Sequence, residues 1–317
     1  MFRVRDKWVA LAGVAGAAVL AVYWNGSQPA VDDVVVSTPT HAPTAQPNLR
    51  PGDAAGPWGQ ENCAEARFAH AAFENASSLN DLDWAPFRRP ERGWDIYAEL
   101  IRAEIGTRCG PTTPGFASAL ARWQKARGLE ATGQVDAETF AFMKGVWQEA
   151  RPFVRRTGGC PNPPNEAILT SGRPEEGYGG KHVQLLPGAF AAYRRMVADA
   201  KRENPAIARD PRYLQIFSAY RSPSYDAARC ARDNNCNGIV RAKCSPHRTG
   251  RAMDLYVGQA PGYGPDSSAD PNRLVMSKSP AYRWLVANAY RYGFVPYAFE
   301  PWHWEWIGTS QAANEGR

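Results

Sequence analysis

The sequence predicts an α+β chain, with a three-helix unit followed by a domain built round a small antiparallel sheet. Three observations carry this. Apolar residues recur at helical spacing between Glu61 and Ala150. Beyond about Pro152, helical runs interleave with short runs rich in β-branched and aromatic residues. The composition, 44% hydrophobic and 21% charged over 317 residues, is ordinary for globular proteins and leaves room for two folded units. It excludes a wholly disordered or fibrous chain. A mean hydropathy of −0.47 excludes a multi-span membrane protein.

Residues 1–24 open the chain with a basic flank, in which Arg3, Arg5 and Lys7 outnumber Asp6. Seventeen uncharged residues follow, Trp8 to Trp24. That order marks a secretory signal or signal anchor. The run reaches about 26 Å as a helix, the short end of a bilayer span. It closes on Val-Tyr-Trp-Asn with no small-x-small cleavage site, which favours an uncleaved anchor in the inner membrane. Residues 25–60, rich in Pro, Ala, Thr and Gln, read as a flexible linker.

The helical unit spans 61–150. Trp94, Tyr97, Leu100, Ile101 and Ile105 are spaced as one helix face. A second helix starts near Gly115, carries Phe116, Leu120 and Trp123, and stops at Gly128. Asp136 is placed to cap a third, bearing Phe140, Met143 and Trp147.

The remainder, 151–317, is the mixed domain. It predicts helices over Phe190–Lys201 and Pro280–Tyr292, and strands at Tyr213–Ala219, Ala252–Val257 and His303–Ile307. Charge divides unevenly. From Arg151 onward there are 23 Lys/Arg against 14 Asp/Glu, a net of +9, whereas 61–150 carries 10 against 13. The basic half suits an anionic polymer. Six cysteines, with no paired C-x2-C spacing, fit three disulfides in an oxidising compartment. Of the fifteen possible pairings, Cys63–Cys109 is expected because both lie in the first folded unit. Export, in turn, argues against a nucleic-acid partner.

Two segments hold the chemistry, Cys244-Ser-Pro-His-Arg-Thr-Gly-Arg-Ala-Met-Asp254 and Phe299-Glu-Pro-Trp-His-Trp-Glu305. A catalytic zinc ion takes three N/O protein ligands and keeps one position open. A turn at Gly250 can bring His247 and Asp254 to one side, and a later strand supplies His303. Glu300, three residues before His303, is placed to move protons. Trp302 and Trp304 flank the ligand and limit water access. His70 and His182 read as ordinary surface or core histidines, and His41 as a solvated linker residue.

Ser245-x-His247-x-x-Gly250-x-Ala252-x-Asp254 followed by Glu300-x-Trp302-His303 resembles the paired signature of zinc D-alanyl-D-alanine carboxypeptidases and dipeptidases, the VanY/VanX-like metallopeptidases. The resemblance extends from Tyr213 to Ile307 and takes in Ser218-Ala-Tyr-Arg-Ser222. It implies His247, Asp254 and His303 as zinc ligands and Glu300 as general base and acid. Arg221 would stabilise the oxyanion or bind the substrate carboxylate, and Ser245 would bind substrate backbone. The family's usual aromatic-Gln after Tyr-Arg-Ser is replaced by Pro223-Ser-Tyr-Asp226, followed by an insertion-like run with Cys230, Asn234, Asn235 and Cys236 that could line the cleft.

Phe116 to Met143 similarly resembles the peptidoglycan-binding helical module of wall hydrolases, through Trp123-Gln124, Arg127-Gly128-Leu129, Thr132-Gly133, Val135-Asp136 and Thr139. Together these imply an exported, membrane-tethered zinc enzyme whose partners are peptidoglycan stem peptides and wall glycan. The same chemistry also suits an L,D-carboxypeptidase or cross-link endopeptidase, and a non-catalytic wall-binding protein is the alternative of another class. The sequence does not address oligomeric state.

Overall fold

A computed structural model describes residues 62–64, 66–153, 160–232 and 245–308. The N-terminal apolar run and the linker lie outside these residues, as do Cys236 and Cys244. Among the described residues no helix is long and apolar enough to cross a membrane. The described residues fall in one compact unit.

Among the described residues the helical unit has four α-helices where three were expected. α1 is Ala69–Ser78, α2 Ala98–Ile105, α3 Pro114–Ala126 and α4 Ala137–Ala150. α1 escapes periodicity because its buried positions are Ala71, Ala72 and Asn75, while Phe73 faces solvent. Asn75 nevertheless anchors it. Its Nδ2 donates to the Gly133 carbonyl at 2.8 Å, and its Oδ1 accepts from the Val135 amide at 2.8 Å. A two-residue hairpin, β1 (Asp83–Trp84) against β2 (Glu91–Arg92), joins α1 to the α2 region. Trp94 and Tyr97 lie in and beside a 3-10 turn ahead of α2 and pack with Ile101, Phe116, Leu120 and Phe140 into one core. Asp136 caps α4 by accepting from the Thr139 amide at 2.7 Å. Cys63 and Cys109 are joined as a disulfide, and Cys160 and Cys230 each take part in a disulfide.

Buried Gln124 ties the loop between α3 and α4. Its Nε2 donates to Thr132 Oγ1, the Gln134 carbonyl and Thr139 Oγ1, and its Oε1 accepts from the Gly133 amide at 2.8 Å. Gly133 has φ +71°, and a Cβ there would sit 2.6 Å from the Ala117 carbonyl oxygen. The aromatic-Gln and Thr-Gly pairs are thus structural devices that close this loop.

The mixed half begins with the hairpin β3 (Thr170–Ser171) and β4 (Gln184–Leu185), then α5 (Pro187–Glu203) and α6 (Pro205–Arg209). β5 (Ile216–Ser218), α7 (Pro223–Arg232), β6 (Ala252–Leu255), α8 (Asp270–Lys278), α9 (Pro280–Asn288), β7 (Phe294–Tyr297) and β8 (Glu300–Trp306) complete it. The first predicted strand is shorter than expected because Leu214, fully buried, adopts φ +68° and breaks extended geometry ahead of Ile216. β5, β6, β8 and β7 form an antiparallel sheet in that order. Alternation along the strands sends Met253, Trp302 and Trp304 into a core with Phe190, Met196, Tyr282 and Leu285. Asp254 and His303 turn to the opposite face.

Candidate metal centre

Register brings the site together. Asp254 on β6 pairs directly with His303 on β8, and Ser218 on β5 pairs with Asp254, so the three lie in one row across the sheet. His247 arrives from a 3-10 turn, Pro246–Thr249. Ser245 caps that turn by accepting from the His247 amide at 3.3 Å. Gly250 ends it at φ +67°, where a Cβ would press on Leu169 at 3.1 Å and Leu186 at 3.3 Å. Glycine is required there on both counts.

His247, Asp254 and His303 are all buried, and one ligand atom from each lies within 4.8 Å of the others. His247 Nε2 is 3.2 Å from Asp254 Oδ2, and His303 Nδ1 is 2.9 Å from Asp254 Oδ1. Tetrahedral zinc, with bonds of about 2.0–2.1 Å, separates its ligand atoms by roughly 3.3 Å. The remaining ring nitrogens are engaged. His247 Nδ1 donates to the Ala219 carbonyl at 2.7 Å, so its Nε2 carries the lone pair. His303 Nε2 faces Glu305 Oε1 at 3.2 Å, which turns Nδ1 inward. The donor set therefore fits a divalent cation, with each imidazole held by its outer nitrogen.

Electrostatics agree with this geometry. Burial pushes the His247 pKa down and keeps the ring neutral. Burial also opposes charge on Asp254, but His247 and His303 hold its carboxyl well below the usual range. For His303, bonds to Asp254 and Glu305 overcome burial and raise the pKa to about 9. Glu300, half-buried at the start of β8, has its pKa raised by burial and by Asp254.

Arg221 borders the site, with Nη1 4.0 Å from Asp254 Oδ2. Its Nε donates to Asp226 at 2.9 Å, Nη1 to Ser218 Oγ at 2.8 Å and Nη2 to Ser245 Oγ at 2.7 Å. One N–H remains on each terminal nitrogen. Ser245 thus links Arg221 to the His247 turn. Trp302 and Trp304 are buried in the core behind the strand rather than lining an open cleft. His70 and His182 are exposed. Of the insertion-like run, Cys230 lies in α7, while 233–244 fall outside the described residues.

Sequence reasoning missed Glu305, Asp226 and Arg151. Glu305 was detectable, since a residue two beyond His303 on a strand shares its face. Its Oε1 accepts from Arg151 Nε at 2.8 Å and Nη2 at 2.5 Å. Burial raises the Glu305 pKa, but His303 and Arg151 outweigh it and hold it at about 2. Arg151 follows α4, 154 residues away in sequence, and no local pattern announces it.

No curated protein and no solved structure matches the chain. Two family models do. Residues 105–143 match the peptidoglycan-binding domain, covering α3 and the start of α4. Residues 182–309 match the VanY D-alanyl-D-alanine carboxypeptidase family, and that span contains His247, Asp254, Glu300 and His303. The chain therefore carries a VanY-type carboxypeptidase domain preceded by a peptidoglycan-binding domain.

Proposed function

We propose that the protein is an exported, zinc-dependent D-alanyl-D-alanine carboxypeptidase that removes the terminal D-Ala from peptidoglycan stem peptides. One observation carries this reading: three buried donors of the N/O type converge from a turn and two paired strands, with both imidazoles held from behind. A zinc ion bound by His247 Nε2, Asp254 and His303 Nδ1 would supply Lewis-acid chemistry, activating water and polarising the scissile carbonyl. Glu300 accepts the proton of the attacking water and delivers it to the leaving amine, a task favoured by its raised pKa. Arg221, steadied by Asp226, Ser218 and Ser245, offers its free N–H groups to the substrate carboxylate or the developing oxyanion. The Ser245 hydroxyl hydrogen is left to donate to substrate backbone. Residues 1–24 would tether the enzyme to the inner membrane through the linker, and the peptidoglycan-binding domain would engage wall glycan.

The test is mass spectrometry of products from defined tetrapeptide, pentapeptide and cross-linked substrates. Loss of one D-Ala from the pentapeptide is expected. Chelation should abolish it, and Glu300→Gln should lower it by about 10²–10⁴-fold while zinc content is kept. Full activity of metal-free protein would refute the proposal, and cleavage confined to the tetrapeptide or cross-link would move the bond.

A further inference from the structure

The approach to β8 and its middle are held by two arginines that reach the helical unit, Arg273 through Tyr97 and Glu91, and Arg151 at the end of α4. On that approach, Arg273 Nε donates to the Phe299 carbonyl at 2.9 Å, and Arg273 is itself gripped by Tyr97 at 2.6 Å and Glu91 at 3.3 Å. Further along, Arg151 lays its guanidinium over the Tyr297 ring at 4.1 Å and donates twice to Glu305 Oε1. That same oxygen faces His303 Nε2. The Arg151 and Glu305 side chains are 7% and 2% exposed, so solvent does not replace one partner for the other.

We propose that Arg151 is a positioning residue for the metal centre, acting through Glu305 to orient the His303 ring. The residue that closes α4 thereby makes the helical unit a working part of the hydrolase. This rests on the assignment of His247, Asp254 and His303 as metal ligands. An imidazole presents one nitrogen to a cation in a fixed direction only if its other N–H is held by a fixed acceptor. A carboxylate gripped at one oxygen by a planar fork is such an acceptor; an ungripped one rotates. Removing Arg151 has two effects of opposite sign. Losing a positive charge near a cation site tightens binding, whereas losing orientation weakens it.

That opposition makes the test sharp. In the full chain, the zinc dissociation constant is measured by competition with a chromophoric chelator for wild type, Arg151→Met, Arg151→Lys, Glu305→Gln and the Arg151→Met/Glu305→Gln pair. Melting of each metal-free protein reports folding separately, and the paired variant leaves no uncompensated buried charge if Arg151→Met alone fails to fold. Positioning predicts zinc binding weakened about 10–100-fold in Arg151→Met and in the pair. Arg151→Lys, whose ammonium can still donate to the Glu305 oxygen though not as a fork, should recover part of the loss. Wild-type or tighter affinity in Arg151→Met, or in the pair where the single variant does not fold, overturns the inference, whatever happens to the metal-free melt. A wild-type chain that takes up no zinc sinks the ligand assignment and this inference together, whereas zinc uptake unchanged by loss of Arg151 sinks this inference alone.

Discussion

Arg273→Met tests how firmly the helical unit and the catalytic half are joined. The Arg273 side chain is 0% exposed and Glu91 1% exposed, with 3.3 Å between their charged atoms. Arg273 also donates to Tyr97, Asp270 and the Phe299 carbonyl. Its removal leaves Glu91 as a buried carboxylate whose remaining partner is the Tyr97 hydroxyl at 2.6 Å. Breaking a buried pair by deleting one member costs about 3–5 kcal/mol, and the lost bond to Phe299 adds about 1 kcal/mol. Allowing for packing by the Met side chain, about 4 kcal/mol should disappear from the unfolding free energy. At roughly 2 °C per kcal/mol for a unit of this size, the melting temperature falls about 8 °C. Urea unfolding followed by tryptophan fluorescence measures the loss. The paired variant Arg273→Met/Glu91→Gln should regain at least about 2 kcal/mol, because the stranded charge is gone. A loss below about 1 kcal/mol, or no recovery in the pair, would show that the buried network does not hold the two parts together.

Acid titration should reveal Glu176. Burial raises its pKa, but bonds from Arg194 and Arg173 outweigh this and bring it down to about 2, so its stabilisation is complete above about pH 4.5 and fades as pH falls toward 2. Both arginines are partly exposed and screened, so the Glu176→Gln deficit at pH 6 should be roughly 1–2 kcal/mol and should vanish near pH 2 in urea unfolding; a pH-independent deficit would contradict it. Gln124→Leu should cost about 2–3 kcal/mol, since it strands the Gly133 amide and the Thr139 hydroxyl in the interior, and a loss within 0.5 kcal/mol would mean water replaces those bonds.

Legibility in the sequence tracked the range of the interaction. The Asp136 cap and the turn from Ser245 to Gly250 are set within four to six residues by side chains that satisfy nearby amides and by glycine's freedom at positive φ. The Asp136 cap and the turn at Gly250 were readable in advance, as was a small antiparallel sheet; the Ser245 cap was not. α1 was not, because its burial uses alanines and an asparagine that leave no apolar stripe. The disulfide expected in the first unit is present, since both cysteines belong to one local fold.

By itself the chain determined which side chains were available for chemistry and the local turns that present them, because backbone preferences and caps act over a few neighbours. Only tertiary structure decided that Asp254 meets His303 across 49 residues, and that Arg151 reaches Glu305 across 154. Those meetings depend on which strand faces and helix ends are buried together, and the cooperative burial of distant apolar surface leaves no mark in any short stretch of sequence.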